Sequence, residues 1–289
     1  MHRYFCDTTR IMQHVLIPTD FSKNAWNATT YALLFFKNQK VVFHFLHIQI
    51  SRKIDEDHDL QNTEMSTKKN ISEEIKHSMK KWIQQVHTCC PNAKHTFKKQ
   101  IVQTSFTEGI RAYIKDHNIE FIVMGAKGAS RAKEVSIGSR TGAVITRIKC
   151  PILVIPEAAN FKKPLQIGFP TDFNMLKKDR VLETLLTIAD TNKSSIKVLR
   201  VAQNNKPLDD FQNKNRDHLK EILKDIPHSF HLIENKNLEN TIQSFVTTMQ
   251  IDLLAMVAKN LNFYQRILFK PQGRKISYHI TTPFLILHE

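Results

Sequence analysis

Pro-Thr-Asp-Phe occurs twice in this chain, each time directly behind a short, β-prone apolar run: "HVLIPTDFSKNA" from His14 and "LQIGFPTDFNML" from Leu165. A second pair matches as well, "FIVMGAKG" from Phe121 and "DLLAMVAKN" from Asp252. Met124 to Pro151 and Met256 to Pro283 are both 27 steps, after which "CPILVIP" and "TPFLILH" close the two halves. Self-similarity on this scale governs the whole architecture, so it is settled before any single motif is interpreted.

Between these landmarks the elements alternate. In the first half, strands are expected near Val15–Pro18, Val41–Ile48, Thr96–Val102, Glu120–Met124 and Ile152–Ile155. Helices are expected near Ser22–Lys37, Glu73–Cys89, Phe106–His117 and Ser139–Lys149. The second half repeats that order, with strands near Leu165–Phe169, Ile196–Val201, Ser229–Ile233, Ile251–Val257 and Phe284–Leu287. Short β-branched runs alternating with helical stretches predict an α/β fold: doubly wound parallel sheets with helices on both faces, one sheet per half. The expected organisation is an extension over 1–11, a first domain over 12–158 and a second over 159–289. The two Pro-Thr-Asp-Phe copies lie 152 residues apart and the later pair 132, so the first half carries about twenty extra residues. The polar segment "SRKIDEDHDLQNTEMSTKKN" after Ile50 is the candidate insertion, expected as a loop or an extended helix start.

Composition narrows the function classes. The net charge of +15 divides into +9 through Ala158 and +6 beyond it, so no basic tail is present. Such a surface attracts polyanions non-specifically. No helix-turn-helix, zinc-finger or RNA-motif signature accompanies it, and a nucleic-acid partner is disfavoured. No apolar run is long enough to span a membrane, and the start has no signal-peptide core, so the expected location is the cytoplasm. Cys6, Cys89, Cys90 and Cys150 form no spaced pairs. His87, Cys89, Cys90 and His95 match no standard zinc spacing, and no metal site is assigned.

Three of the seven glycines, Gly125, Gly128 and Gly138, surround one loop between an apolar run and a helical stretch. Ligands of open parallel sheets sit outside the carboxyl ends of the strands, where this loop and the Asp20 loop both emerge. Gly125 lets the chain leave its strand tightly, and Gly128 keeps side chains clear of a ligand. Gly138 and Ser139 open a helix whose amides and dipole favour phosphate. Ser139 and Thr141 add hydroxyl donors; Lys127, Arg131 and Arg140 add positive charge. Taken singly, each feature also has a structural reading: a strand-exit turn at Gly125, helix caps at Asp20 and Ser139. Neither G-x-G-x-x-G nor G-x4-G-K-[ST] occurs.

The opening "VLIPTDFSKNA" and the stretch "MGAKGASRAKEVSIGSRTGAVITRIKCPILVIP" together resemble the universal stress protein family, in a tandem form. The second stretch matches that family's signature Gly-x2-Gly-x9-Gly-[Ser/Thr] without a gap, and the resemblance covers nearly all of the chain except residues 1–11 and the insertion. It implies a five-stranded Rossmann-like sheet per domain, of the adenine nucleotide alpha-hydrolase-like type, with terminal strands pairing into an intramolecular pseudo-dimer. It further implies ATP or a related adenine nucleotide in the first half, with accompanying Mg2+ an open option. By that analogy Pro18, Thr19 and Asp20 line the adenosine, and Ile48 and Met124 flank the base. Gly125, Gly128, Ala129, Gly138, Ser139, Arg140 and Thr141 face ribose and phosphates. Ala129 stands where members often carry a basic residue, for which Lys127 or Arg131 is the substitute.

The second half departs at the matching positions, with Val257, Asn260, Lys270 and Pro271 in place of Gly125, Gly128, Gly138 and Ser139. One nucleotide site per chain is the expectation. The leading functional reading is a nucleotide-binding stress-response regulator whose liganded state is read by an unidentified protein partner. Slow ATP hydrolysis or phosphotransfer through Ser139 or Thr141 is the enzyme alternative, although no carboxylate pair for two metals lies near the loop. A scaffold or polyanion-binding module is the third. No catalytic residue is assigned, and homodimerisation beyond the internal pair is left open.

Overall fold

The computed structural model describes residues 13–50, 61–127, 137–174, 179–202, 207–235, 237–258 and 281–288. The first half runs β1 (Gln13–Pro18), α1 (Lys23–Phe35), β2 (Val41–Gln49), α2 (Gln61–Cys89), β3 (His95–Gln103), α3 (Phe106–Asp116), β4 (Phe121–Gly125), α4 (Ser139–Arg147) and β5 (Ile152–Ile155). The second runs β6 (Gln166–Pro170), α5 (Asp179–Asn192), β7 (Ser195–Ala202), α6 (Asp210–Leu223), β8 (His228–Glu234), α7 (Leu238–Thr248), β9 (Leu253–Val257) and β10 (Phe284–Leu287). Every expected strand is present. The helix expected between β9 and β10 lies outside the described residues. α2 begins at Gln61 rather than near Glu73, so part of the polar insertion extends a helix.

Both halves use one strand order, 3-2-1-4-5, and the halves fuse into a ten-stranded sheet: β3-β2-β1-β4-β5-β10-β9-β6-β7-β8. All pairings are parallel except the central one, where β10 runs antiparallel to β5 with Phe284 opposite Val154 and Ile286 opposite Ile152. The internal pseudo-dimer is therefore a continuous sheet. Pairing these two runs removes the edge that each Val/Ile/Leu-rich strand would otherwise expose.

The inner strands are apolar on both faces because helices cover both, whereas the edge strands β3 and β8 carry polar residues and are mostly not buried. Val15 and Ile17 of β1 join a core with α1, α2, α5 and α6, while Leu16 between them joins the opposite core with α3, α4 and α7. Phe43 and Phe45 face the first core and Leu46 and Ile48 the second. Each fully buried side chain of this size contributes about 1.5–3 kcal/mol. Local chemistry starts the helices: Ser22 caps α1 by accepting from the Ala25 amide at 3.2 Å, and Asp209 with Gln212 forms a capping box on α6.

The link between the halves is tied down from both sides. Asn27 of α1 donates to the carbonyls of Pro156 and Ala159 at 3.2 and 2.9 Å. Asp252, before β9, is buried and accepts from the amides of Leu165 and Gln166 at 3.0 and 2.9 Å. Its other oxygen meets Lys162 at 2.6 Å. Among the described residues, no helix is long and apolar enough to cross a membrane.

Candidate functional site

The strand order of the first half reverses between β1 and β4, which makes the carboxyl ends of those two strands the crossover crevice. β1 ends at Pro18. The Thr19 amide continues the ladder to Leu46 at 2.9 Å. The Thr19 hydroxyl then accepts from the Phe21 amide at 3.0 Å, and Asp20 accepts from the Ser22 amide at 3.1 Å. These two bonds hold Phe21 at φ 60°, a left-handed conformation that a bulky residue adopts only when its surroundings enforce it. The role of α1 cap belongs to Ser22; Asp20 braces the turn.

At the end of β4, Gly125 has a specific neighbour. A Cβ there would lie 2.7 and 2.8 Å from Nδ2 and Cγ of Asn24, so the absence of a side chain lets α1 pack against the strand end. Asn24 is buried and donates through Nδ2 to the Lys127 carbonyl at 2.6 Å. The Ala126 amide bonds to Ile155, and the Gly138 amide returns to the Ala126 carbonyl at 2.8 Å, which closes a neck between the end of β4 and the start of α4. Gly138 is the N-cap of α4 in extended conformation at φ −62°, with no side-chain cap bond. Thr141 is buried, and its hydroxyl donates to the Gly125 carbonyl at 2.9 Å. That hydroxyl fastens α4 to β4.

Ser139 and Arg140 are exposed at the start of α4. The Arg140 guanidinium lies 5.5 Å from the centre of the Phe106 ring on α3, a cation–π contact. His47, one residue before Ile48, also reaches this crevice. Its Nδ1–H donates to the Thr19 carbonyl at 2.8 Å, which leaves Nε2 as the unprotonated nitrogen of the neutral ring. The ring stacks on Phe21 at 4.8 Å. Burial lowers the proton affinity of His47, opposed by the Thr19 carbonyl and the Asp20 charge, with Arg140 reinforcing the depression. Asp20, His47 and Arg140 therefore form one electrostatic group across the crevice mouth.

The crossover thus gathers Pro18, Thr19, Asp20, Gly125, Lys127, Gly138, Ser139, Arg140 and Thr141. Ile48 and Met124, expected beside a base, are both buried in the α3/α4 core. Gly128, Ala129 and Arg131 lie outside the described residues. Two further residues, Asn24 and His47, belong to the crevice, and composition did not single them out. Their signals were present: an Asn in the first turn behind Pro-Thr-Asp-Phe, and the His of "LHI" at a strand end. Among the described residues no group of three metal-ligating side chains occurs.

In the second half the corresponding turn is built in the same way. The Thr171 amide bonds to Leu199 at 2.9 Å, and its hydroxyl accepts from Phe173 at 3.0 Å. Asp172 accepts from Asn174 at 2.9 Å, and Phe173 sits at φ 58°. Ala258 bonds to Leu287 as Ala126 does to Ile155. Val257 then occupies the place of Gly125 and is buried. Arg200 occupies that of His47. Asn260, Lys270 and Pro271 lie outside the described residues.

Comparison with known proteins extends this description. In fold the chain is similar to the crystal structure of a universal stress protein from Archaeoglobus fulgidus DSM 4304, with 16% identity and a TM-score of 0.62. That alignment covers 94% of this chain and 97% of the other. A functionally unknown protein from Pseudomonas aeruginosa PAO1 is similar at 12% identity and a TM-score of 0.58, covering 96% and 92% of the two chains. At these identities the likeness is one of fold. No curated protein sequence matches the chain. The profile of the universal stress protein family, in contrast, matches residues 12–156, half of the sequence and all of the crevice described above; this chain belongs to the universal stress protein family.

Proposed function

We propose that the first domain, residues 12–158, binds an adenine nucleotide at the crossover of β1 and β4, with ATP the favoured species. The second domain, residues 159–289, is its degenerate counterpart. The observation that carries this reading is the neck: Gly138 bonds back to Ala126 and α4 starts there, so the two ends of the Gly-x2-Gly-x9-Gly-Ser stretch are held together. The amides of Ser139, Arg140 and Thr141 have no intrahelical carbonyl partners, and the helix dipole adds partial positive charge there.

The residues present fit the group, with roles divided differently from the sequence expectation. Phosphate oxygens are served by the α4 amides, the Ser139 hydroxyl and Arg140. Thr141 and Gly125 instead support the strand end. The buried Asn24 Oδ1 has no hydrogen-bond partner among the described residues, an acceptor that suits a hydroxyl or N–H and not a phosphate. Asp20 is the carboxylate available to an accompanying Mg2+. Bound nucleotide would supply a ligand-dependent surface for a protein partner, which makes the chain a stress-response regulator or interaction module rather than a dedicated enzyme.

The test is to denature freshly purified protein and identify any released nucleotide by chromatography, alongside Gly138→Val. Near-stoichiometric ATP or ADP, lost in the variant, supports the reading. A wild type that carries none and ignores added ATP overturns it.

A further inference from the structure

α2 ends at Cys89, and Cys90 and Pro91 begin the turn into β3. The two sulfurs lie 3.2 Å apart, inside ordinary sulfur–sulfur contact, with the Cys89 thiol donating to its neighbour. Cys89 is exposed, and Cys90 is half-buried against the α1/α2 core. Neither thiol is bonded to another cysteine.

The surroundings narrow the chemistry. His95 is turned to the Phe36 carbonyl at 3.1 Å and Asn92 at 3.3 Å, and His87 packs edge-on against Phe97 at 4.9 Å. The four-ligand set that zinc prefers is therefore not assembled, whereas two thiols stand side by side. Joining adjacent sulfurs directly demands a disulfide geometry that neighbouring residues reach only with strain. A larger acceptor atom, bonded to both sulfurs without joining them, spans the gap in place.

We propose that Cys89 and Cys90 form a vicinal-dithiol site for trivalent arsenic species. With an arsenoso compound, two As–S bonds form and the As=O bond breaks. Both thiol protons leave on the oxygen as water, and no oxidation state changes. The site lies at the C-terminus of α2, where the helix dipole disfavours a thiolate. Burial and the adjoining Cys90 thiol also raise Cys89 above its ordinary value. A raised Cys89 disfavours thiolate-dependent oxidation, while condensation with arsenic returns the thiol protons as water.

The experiment treats the reduced full chain with one equivalent of phenylarsine oxide and reads intact mass. One phenylarsenic adduct per chain is expected, removed by excess dithiol and retained against equimolar monothiol. Cys89→Ser and Cys90→Ser should each abolish it, and Cys6→Ser and Cys150→Ser should keep it. Thermal unfolding of the Cys89→Ser and Cys90→Ser variants checks that they remain folded. Persistence of the adduct in either Cys89→Ser or Cys90→Ser, or its release by equimolar monothiol, overturns the proposal.

Discussion

The two Pro-Thr-Asp-Phe turns share their bonds one for one, from the threonine amide on the neighbouring strand to the phenylalanine in left-handed conformation. A few residues away the halves diverge. Gly125 leaves room for Asn24, whereas Val257 fills that position with a buried side chain. The turn is common to both halves because it starts the first helix and fixes strand ends, which the fold needs with or without a ligand. A side-chain-free strand end followed by a glycine-capped helix occurs in the first half, which is why the proposed nucleotide site is assigned there. Both tryptophans, Trp26 and Trp82, also lie there, so tryptophan fluorescence follows the first half alone.

Acid is expected to act on the two halves through different histidines: His44 in the first and, at the end of β10 in the second, His288, whose pKa burial likewise lowers from 6.5 to about 4. His44 is fully buried between His14 Nδ1 and the Tyr113 hydroxyl, each at 3.1 Å. Burial, with His14, Lys98 and His117 adding repulsion, pushes its pKa from 6.5 down to about 4. The second half has Lys197 in that register. As pH falls, the unfolded chain takes up the proton first. The contribution is whole above pH 6.5 and is lost progressively towards pH 4, amounting to about 3 kcal/mol. Urea unfolding followed by tryptophan fluorescence at stepped pH should show this loss, and His44→Leu should flatten it. An unchanged acid slope in the variant would remove His44 as the cause.

Gly125→Val imports the second half's residue into the first. The Asn24 amide would have to give way, with a cost of about 2 kcal/mol and loss of any copurified nucleotide. A variant of wild-type stability that still carries nucleotide would show that the glycine is not what distinguishes the halves. Asn24→Ala is milder. Losing the bond to Lys127 costs about 1 kcal/mol by urea titration, and nucleotide retention should fall more steeply than stability does. The smallest effect tests the matching loops after α3 and α7, where Asn118 and Gln250 sit at φ 50° and 49°. Gln250→Gly should gain about 0.5–1 kcal/mol and Asn118→Gly less, because asparagine already tolerates this conformation. Equal gains in thermal unfolding would contradict that ranking.

Much of the architecture was legible because it depends on local periodicity. The strands and the repeat follow from apolar runs that need cover, and the pairing of "PILVIP" with "PFLILH" is what the family resemblance implied. The crevice was legible only where glycine spacing marks it. The partner that makes Gly125 necessary, Asn24, lies a hundred residues away in sequence and meets it only through tertiary packing. Thr141 illustrates the opposite failure. A hydroxyl at a helix start was expected to face a ligand, but it points inward to the strand that its helix packs on. His47 was passed over because a histidine in an apolar run announces nothing until Thr19, Asp20 and Arg140 are brought around it. For the start of α2 the sequence left a loop and an extended helix start open, because a polar segment without apolar periodicity does not choose between them; the helix begins at Gln61.

The antiparallel seam at the centre of the sheet also sets an order of events during synthesis. β5 has all of its own half available once Ile155 has been made, yet its outer edge is matched by Phe284–Leu287, which are made about 130 residues later. Until then a growing chain carries an apolar strand with unpaired amides and carbonyls, open to the same strand of a neighbouring nascent chain. Chains cut short before residue 284 would therefore be sticky rather than merely incomplete. Arrival of β10 converts that adhesive edge into the middle of the molecule.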